Sequence, residues 1–197
     1  PDDGREAETI VRKATVALFL AKAYRRNRIV CAPDANAAGH TRKLYDKRLR
    51  INVIVGSCGE IGHINRPVKA GLARFWEPQA IDTDASGKVY IADQNNNSIL
   101  LYDGYTVRRI AGTGSFGYTG DGGSARKAQL NKPTGLTVLG DKLYITDTGN
   151  DAVRSVNLKS ERISTFAGNG YSGYTGDGGA AEKACLNKPG GIAADRR

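Results

Sequence analysis

Two glycine-rich runs in this chain have the spacing of a phosphate cradle. Gly112-x-Gly114-x-x-Gly117 and Gly168-x-Gly170-x-x-Gly173 both match the dinucleotide fingerprint, in which glycine lets the backbone approach a pyrophosphate. That fingerprint needs a long helix directly after the loop, and here more glycine follows each run. The glycines are therefore read as suppliers of positive φ in a compact loop, and no cofactor is expected. Asp121 and Asp177 lie within Gly-Asp-Gly-Gly in the same runs. Calcium takes about six to eight oxygens and each loop offers one carboxylate. The expected role is structural: each aspartate turns the chain and caps a short helix, Ser124–Leu130 or Ala180–Leu186.

Other reactive side chains form no catalytic or metal set. Asp82-x-Asp84-x-Ser86-Gly87 resembles the opening of a calcium loop but lacks the distant glutamate, and reads as a hairpin turn. Asp93 and Asp147 close two Tyr-Ile-x-Asp strings, with Asn96 and Asn150 beyond them. Asx residues at such places bond local backbone groups, and a ligand role near a channel is the alternative. His40 and His63 are the two histidines, and no Ser/His/Asp spacing is recognisable. Cys31, Cys58 and Cys185 are odd in number and widely spaced, which gives neither a disulfide framework nor a zinc signature. Reduced thiols lean toward an intracellular location. Tyr118 and Tyr174 hold the same place in the two runs and read either as exposed contacts or as loop packing. Trp76 reads as packing.

The elements that carry these residues repeat. Gly-Tyr-Thr-Gly-Asp-Gly-Gly occurs at Gly117–Gly123 and again at Gly173–Gly179, an offset of 56. Leu130-Asn131-Lys132-Pro133 recurs as Leu186-Asn187-Lys188-Pro189 at the same offset. A fixed period of this length means that one supersecondary unit is stacked. Between the copies lie four short apolar or alternating runs, Gly135–Leu139, Lys142–Thr146, Val153–Leu158 and Ile163–Phe166, each bounded by turn residues. They predict a four-stranded antiparallel meander, the arithmetic of a β-propeller blade. A weaker upstream unit has strands at Ala80–Thr83, Lys88–Ala92, Ser98–Tyr102 and Val107–Ile110. Earlier, Thr41–Leu44 and Ile51–Gly56 align with Val153–Val156 and Ile163–Gly168 at offset 112, as the last two strands of another unit. Gly191–Asp195 reads as the first strand of a further one.

These strings resemble the NHL repeat. The resemblance rests on Pro-x-Gly-Leu/Ile, Lys-Leu-Tyr-Ile-Thr-Asp-Thr-Gly-Asn, Val-Arg-Ser-Val and Ile-Ser-Thr-Phe-Ala-Gly, and covers about Thr41 to Asp195. The Gly-Asp-Gly-Gly insertion is similar to that of long NHL blades. The upstream unit departs from the pattern, because His63–Pro67 stands where the glycine-rich string would be. The resemblance implies an all-β fold, a β-propeller of four-stranded antiparallel NHL-type blades. About two blades are complete, at 79–110 and 134–166, and two are partial, at 39–56 and 190–197. Propellers close with about four to eight blades. The expectation is therefore a piece of a larger propeller, with completion by another chain or a short stack capped by the N-terminal segment as alternatives. Some NHL-type propellers are lyases with a central metal held by histidines from several blades, and neither complete unit here contains a histidine.

Charge is uneven. The net charge is +9, and residues 1–50 hold 12 Lys/Arg against 6 Asp/Glu. Residues 1–38 read as a basic helical extension ahead of the repeat region 39–197. Ile10, Ala14, Ala17, Ala21 and Tyr24 recur at helical spacing within Glu6–Arg28. That stripe predicts a cap on an open sheet edge or a contact helix, and a loose likeness to a signal peptide over Arg12–Ala23 is the third reading. No apolar run reaches the ~20 residues of a membrane span.

The leading functional expectation is a non-catalytic protein-interaction scaffold, since no catalytic, cofactor or metal residue stands out. The first alternative is RNA or ribonucleoprotein binding through Arg25, Arg26, Arg28, Arg42, Lys43, Lys47, Arg48 and Arg50, mostly to phosphates. The second is a propeller lyase or hydrolase whose site lies mainly in other blades. Tyr118 and Tyr174 are the candidate loop contacts.

Overall fold

The computed structural model describes residues 55–56 and 61–195. The basic cluster Arg25 to Arg50, the Glu6–Arg28 stripe and the partial unit at 39–54 lie outside the described residues.

The described chain is all-β. Strand β1 spans Val68–Lys69, β2 Pro78–Thr83, β3 Val89–Asp93, β4 Ser98–Tyr102 and β5 Thr106–Ala111. These form one antiparallel sheet in the order β1-β5-β4-β3-β2. Strands β6 (Gly135–Leu139), β7 (Lys142–Asp147), β8 (Ala152–Asn157) and β9 (Arg162–Ala167) form the second, in sequence order. All eight strands expected from the two repeat units are found within two residues of their expected bounds. The reason is local: β-branched and aromatic runs four to six residues long are separated by turns that nothing but a hairpin accommodates. Asp84 illustrates such a turn. Its Oδ1 accepts the Ser86 N–H at 2.9 Å and the Lys88 N–H at 3.1 Å, so it closes the β2–β3 hairpin as expected.

Both faces of the first sheet are covered, which is why β3 is buried at every position. One face packs Tyr90, Ile99, Leu101 and Ile110 against Leu136, Leu143, Ile145 and Ile163 of the second sheet. The other packs Ile91, Leu100 and Val107 against Ile64, Ala73 and Phe75. First strands of the two units also touch directly: Asp82 accepts the Val138 N–H at 2.7 Å and the Thr137 hydroxyl at 3.2 Å.

Between the sheets runs a strap, Gly112–Leu130, that leaves β5 and crosses the outer edge of β9. The expected helix Ser124–Leu130 is here a single 3-10 turn, Ala125–Lys127, with no side-chain cap on its first residue. Its copy is Ala181–Lys183, also uncapped. Gly191–Asp195, expected as a first strand, is not in a strand. Instead the carbonyls just before it, of Pro189 and Gly190, accept the Thr148 and Thr146 hydroxyls at 2.6 and 2.7 Å.

Gly112 opens the strap with φ +83°, and a Cβ there would lie 2.2 Å from the Asn97 carbonyl oxygen. Gly122, at φ +74°, has open space around it. Gly112→Ala is therefore expected to lower unfolding free energy by at least about 2 kcal/mol, strain plus a backbone clash. Gly122→Ala should cost roughly 1 kcal/mol, strain alone. Urea unfolding of both variants checks this; equal losses would remove the close approach as the cause.

Candidate functional site

Strands β3 and β7 finish at the same end of their sheets, where the glycine-rich loops gather. Each finishes in a buried carboxylate, Asp93 and Asp147, both 0% exposed. Asp93 accepts the Trp76 N–H at 2.7 Å and the Asn96 amide at 2.8 Å. Asp147 accepts the Asn131 N–H at 2.6 Å and the Asn150 amide at 2.7 Å. The other proton of each amide goes to the loop before the unit: Asn96 to the Gly62 carbonyl at 2.6 Å, Asn150 to the Gly117 carbonyl at 2.7 Å. The sequence reading expected local turn bonds. The bonds are in fact long-range, with each Asp-x-x-Asn pair fastening chain that lies 16 to 34 residues upstream. Burial pushes Asp93 up to about 7, against the pull of its Asn96 and Trp76 bonds. Burial likewise raises Asp147 to about 6, partly offset by the Asn131, Asn150 and Arg154 contacts.

Arg154 is the centre of the second unit's loop end. It is 1% exposed and lies on β8, facing the core between the sheets. Its Nη1 donates to Asp147 Oδ2 at 3.3 Å and to the Gln129 carbonyl at 3.4 Å. Its Nη2 pairs with Asp121 Oδ1 and reaches the Thr119 carbonyl at 3.4 Å. The Tyr118 ring covers the guanidinium, 5.0 Å away. Asp121 thus does not cap a helix. It ties the strap to two neighbouring strands of the second sheet, because its other oxygen accepts the Thr165 N–H of β9 at 3.0 Å. Arg154 pulls the Asp121 carboxyl downward, as do the Thr165 bonds, and together they outweigh the burial that pushes it up. In the first sheet the same ladder position is Leu100, opposite Ile91 as Arg154 is opposite Ile145. The loop ahead of that sheet, Gly62–Pro67, has no acidic residue to pair with an arginine.

Tyr118 and Tyr174 diverge despite their identical strings. Tyr118 is 38% exposed, and its hydroxyl lies 3.1 Å from Thr165 Oγ1. Tyr174 is 84% exposed, and its hydroxyl accepts the Asn187 amide at 2.9 Å. Trp76 is 40% exposed, so its contribution is mainly the backbone bond to Asp93. Sequence reasoning passed over two exposed aromatics in the loops, Phe116 and Tyr171. The available signal was an aromatic at neighbouring places in both loops, Ser115-Phe116 against Tyr171-Ser172, where the flanking glycines are kept. It also passed over Arg154, whose signal was a cation at a core-facing place on a strand.

At the opposite, hairpin end, a cleft of about 240 Å³ opens between the sheets. Four of its charges form two pairs: Arg108 lies 3.7 Å from Glu161, and Lys159 2.6 Å from Asp141. Tyr90 donates to Asp84 at 3.1 Å, and burial with the Asp84 charge raises its phenol. Among the described residues no three His, Cys, Asp or Glu side chains converge on one point, and no helix is long and apolar enough to cross a membrane. Cys185 is a free thiol.

No family model matches the chain. Individual proteins do. It is 37% identical over 115 residues to Protein SUPPRESSOR OF QUENCHING 1, chloroplastic, of Arabidopsis thaliana, a match covering 56% of this chain and 11% of that protein. It is 32% identical over 106 residues to NHL repeat-containing protein 2 of Gallus gallus, covering 52% of this chain and 14% of that one. The match therefore spans a small part of either relative's length. Among solved structures, an auxiliary nutrient binding protein from Bacteroides thetaiotaomicron superposes with a TM-score of 0.51 at 27% identity, over 61% of this chain and 33% of that one. The repeated strings, the antiparallel four-stranded units and these relatives agree in one respect: the chain is similar to NHL-repeat proteins.

Proposed function

We propose that the two sheets are blades of an NHL-type β-propeller whose loop end binds a protein partner without catalysis. The blades span 79–110 and 134–166, with 39–56 and 190–197 belonging to neighbouring blades and 1–38 a separate extension. The observation that carries the functional reading is the contrast at the loop end. Among the described residues, the buried charged groups there, Asp93, Asp147 and Arg154, are spent on holding loops in place. What those loops present outward is aromatic: Phe116 is 74% exposed and Tyr171 75%. Rigid aromatics on pinned loops suit protein recognition, because they bury large area at small entropic cost.

The test places a photo-crosslinking phenylalanine analogue at position 116 or 171. A discrete protein adduct is expected, sensitive to protease and not to ribonuclease. Phe116→Ala and Tyr171→Ala should each weaken that partner's binding at least about tenfold, as hot-spot aromatics do, with the melting temperature unchanged. A ribonuclease-sensitive adduct would favour the RNA reading, in which the cations of residues 25–50 carry the affinity and binding falls steeply with salt. Tyr118→Ala, by contrast, should lower stability, since its ring covers Arg154.

A further inference from the structure

The chain ahead of the first sheet, Gly62–Lys69, follows the strap segment Gly117–Ser124 place for place. The Gly62 carbonyl accepts the Asn96 amide as the Gly117 carbonyl accepts that of Asn150. Lys69 lies opposite Thr106 of β5 as Ser124 lies opposite Arg162 of β9. The two anchors are equally spaced in both segments, so His63 stands at the place of Tyr118 and Arg66 at the place of Asp121. On the strands, Leu100 and Arg109 are opposite each other as Arg154 and Thr165 are.

At these matched places the residue types differ. In the second unit the Asp121 carboxylate joins Arg154 to the Thr165 N–H, and the Tyr118 hydroxyl lies beside Thr165. The Tyr118 ring also covers Gly170, where an added Cβ would lie 2.9 Å from it. In the first unit Arg66 replaces the acid, Arg109 the threonine and Leu100 the buried arginine. Gly114 is the counterpart of Gly170 and is less crowded. A Cβ added there would lie 3.5 Å from Arg109 Nη1 and 3.9 Å from both His63 Nδ1 and the Asn96 carbonyl oxygen.

Two of the three groups around that point offer protons. Arg109 Nη1 donates one to the Thr113 carbonyl at 2.5 Å and keeps another, and its Nε is buried without a partner. The Asn65 amide nitrogen can only donate, so His63 Nε2 accepts from it at 3.3 Å and the proton of the neutral ring is on Nδ1. Arg126 adds a third cation from the turn Ala125–Lys127, which the Gly112 N–H holds at the Ala125 carbonyl, 3.0 Å away. Burial lowers the Arg109 guanidinium, and the Arg126 charge lowers it further. Among the described residues, Arg66, Arg109 and Arg126 form no ion pair. Residues 61–76 and 109–120 contain no Asp or Glu. The second unit balances one arginine with one acid at the matched places, and the first unit gathers cations alone.

We propose that Arg66, Arg109, Arg126 and the His63 Nδ1–H form a site for a phosphomonoester dianion, which takes the part that the Asp121 carboxylate plays in the second unit. A doubly charged oxyanion suits it, because several guanidiniums outweigh the single charge of a carboxylate and their forks match phosphate oxygens. This goes beyond the partner-binding reading and stands whether or not Phe116 meets a protein. Calorimetric titration of the full chain with inorganic phosphate tests it, at fixed ionic strength and about pH 7.5, where phosphate carries close to two charges. Saturable binding is expected, at least about tenfold tighter than that of acetate. Arg109→Gln should weaken it at least about tenfold. Arg66→Asp, which restores the acid of the second unit beside Arg109, should weaken it at least about thirtyfold and leave the melting temperature without phosphate at or above the parent's. Phosphoserine that binds as tightly as phosphate assigns the group to a phosphorylated side chain, and much weaker binding assigns it to free phosphate. Absence of saturable binding, or acetate bound as tightly, overturns the proposal. Phosphate binding that survives both substitutions places the anion on other cations and overturns it as well.

Discussion

Arg154→Ala is expected to cost about 3–5 kcal/mol of unfolding free energy, more than any other single side-chain truncation at the loop end. The loss is large because of what stays behind. Asp147 would keep a fully buried carboxylate without the arginine that pairs with it, and Tyr118 would sit over a cavity. Asp121→Ala should cost less, roughly 1–2 kcal/mol, because Asp121 is half exposed and Arg154 keeps Asp147 and two carbonyls. The two changes share one interaction, so the double variant should lose at least about 0.5 kcal/mol less than their sum. Asp177→Ala serves as an internal control. It sits in an identical string but meets no sheet among the described residues, and it should stay within about 0.5 kcal/mol of the parent. Denaturant unfolding of the four chains reads all of this. Strict additivity, or a loss below about 1 kcal/mol at Arg154, would dismiss the bridge as a stabilising element.

The second large effect is on pH. Asp93 and Asp147 titrate near 7 and 6 in the folded chain, raised mainly by burial, against an ordinary value of 3.8. Between the ordinary and the folded values the folded state holds more protons than the unfolded one. Stability therefore falls as pH rises through that window. The contribution of each group is complete below about pH 4 and is lost as pH passes its folded value. The slope reaches about 1.4 kcal/mol per pH unit for each group. It should be steepest between about pH 4 and 6, where both act, and end near 7. Asp84 and Asp121 have lowered values, so their contributions disappear only on the acid side of this window. Asp93→Asn should remove the slope between about 6 and 7 and leave that of Asp147 below it. Chemical denaturation at several pH values checks the sign, and a stability that rises from pH 4.5 to 7 would refute it.

Much of the fold was legible because its causes are local. The strands of both units follow from β-branched and aromatic runs between turn residues, as in Lys142–Asp147, and register follows from short hairpins. The repeat made the stacking legible too, since a unit with two apolar faces must be covered on both. The positive φ expected of the glycine-rich runs is found at Gly112 and Gly168, where an added Cβ would meet the carbonyls of Asn97 and Asp151 at the same place in each copy.

What stayed hidden depends on partners far apart in the chain. Asp121 and Asp177 occupy identical seven-residue strings, so no local rule separates them. One is fastened to an arginine 33 residues on and to the edge of β9, and the other meets no sheet among the described residues. Tyr118 and Tyr174 divide for the same reason. Asp93 read as a turn former because Asx chemistry is local in most turns, while here the acceptor is fully buried and bonded from Trp76, 17 residues upstream. By itself the sequence determined the unit, its period and its strands, because propensity and turn chemistry act over a few residues. Only the tertiary structure decided which copies of a repeated residue are buried, charged and bonded, because desolvation and ion pairing depend on what the next unit places against them.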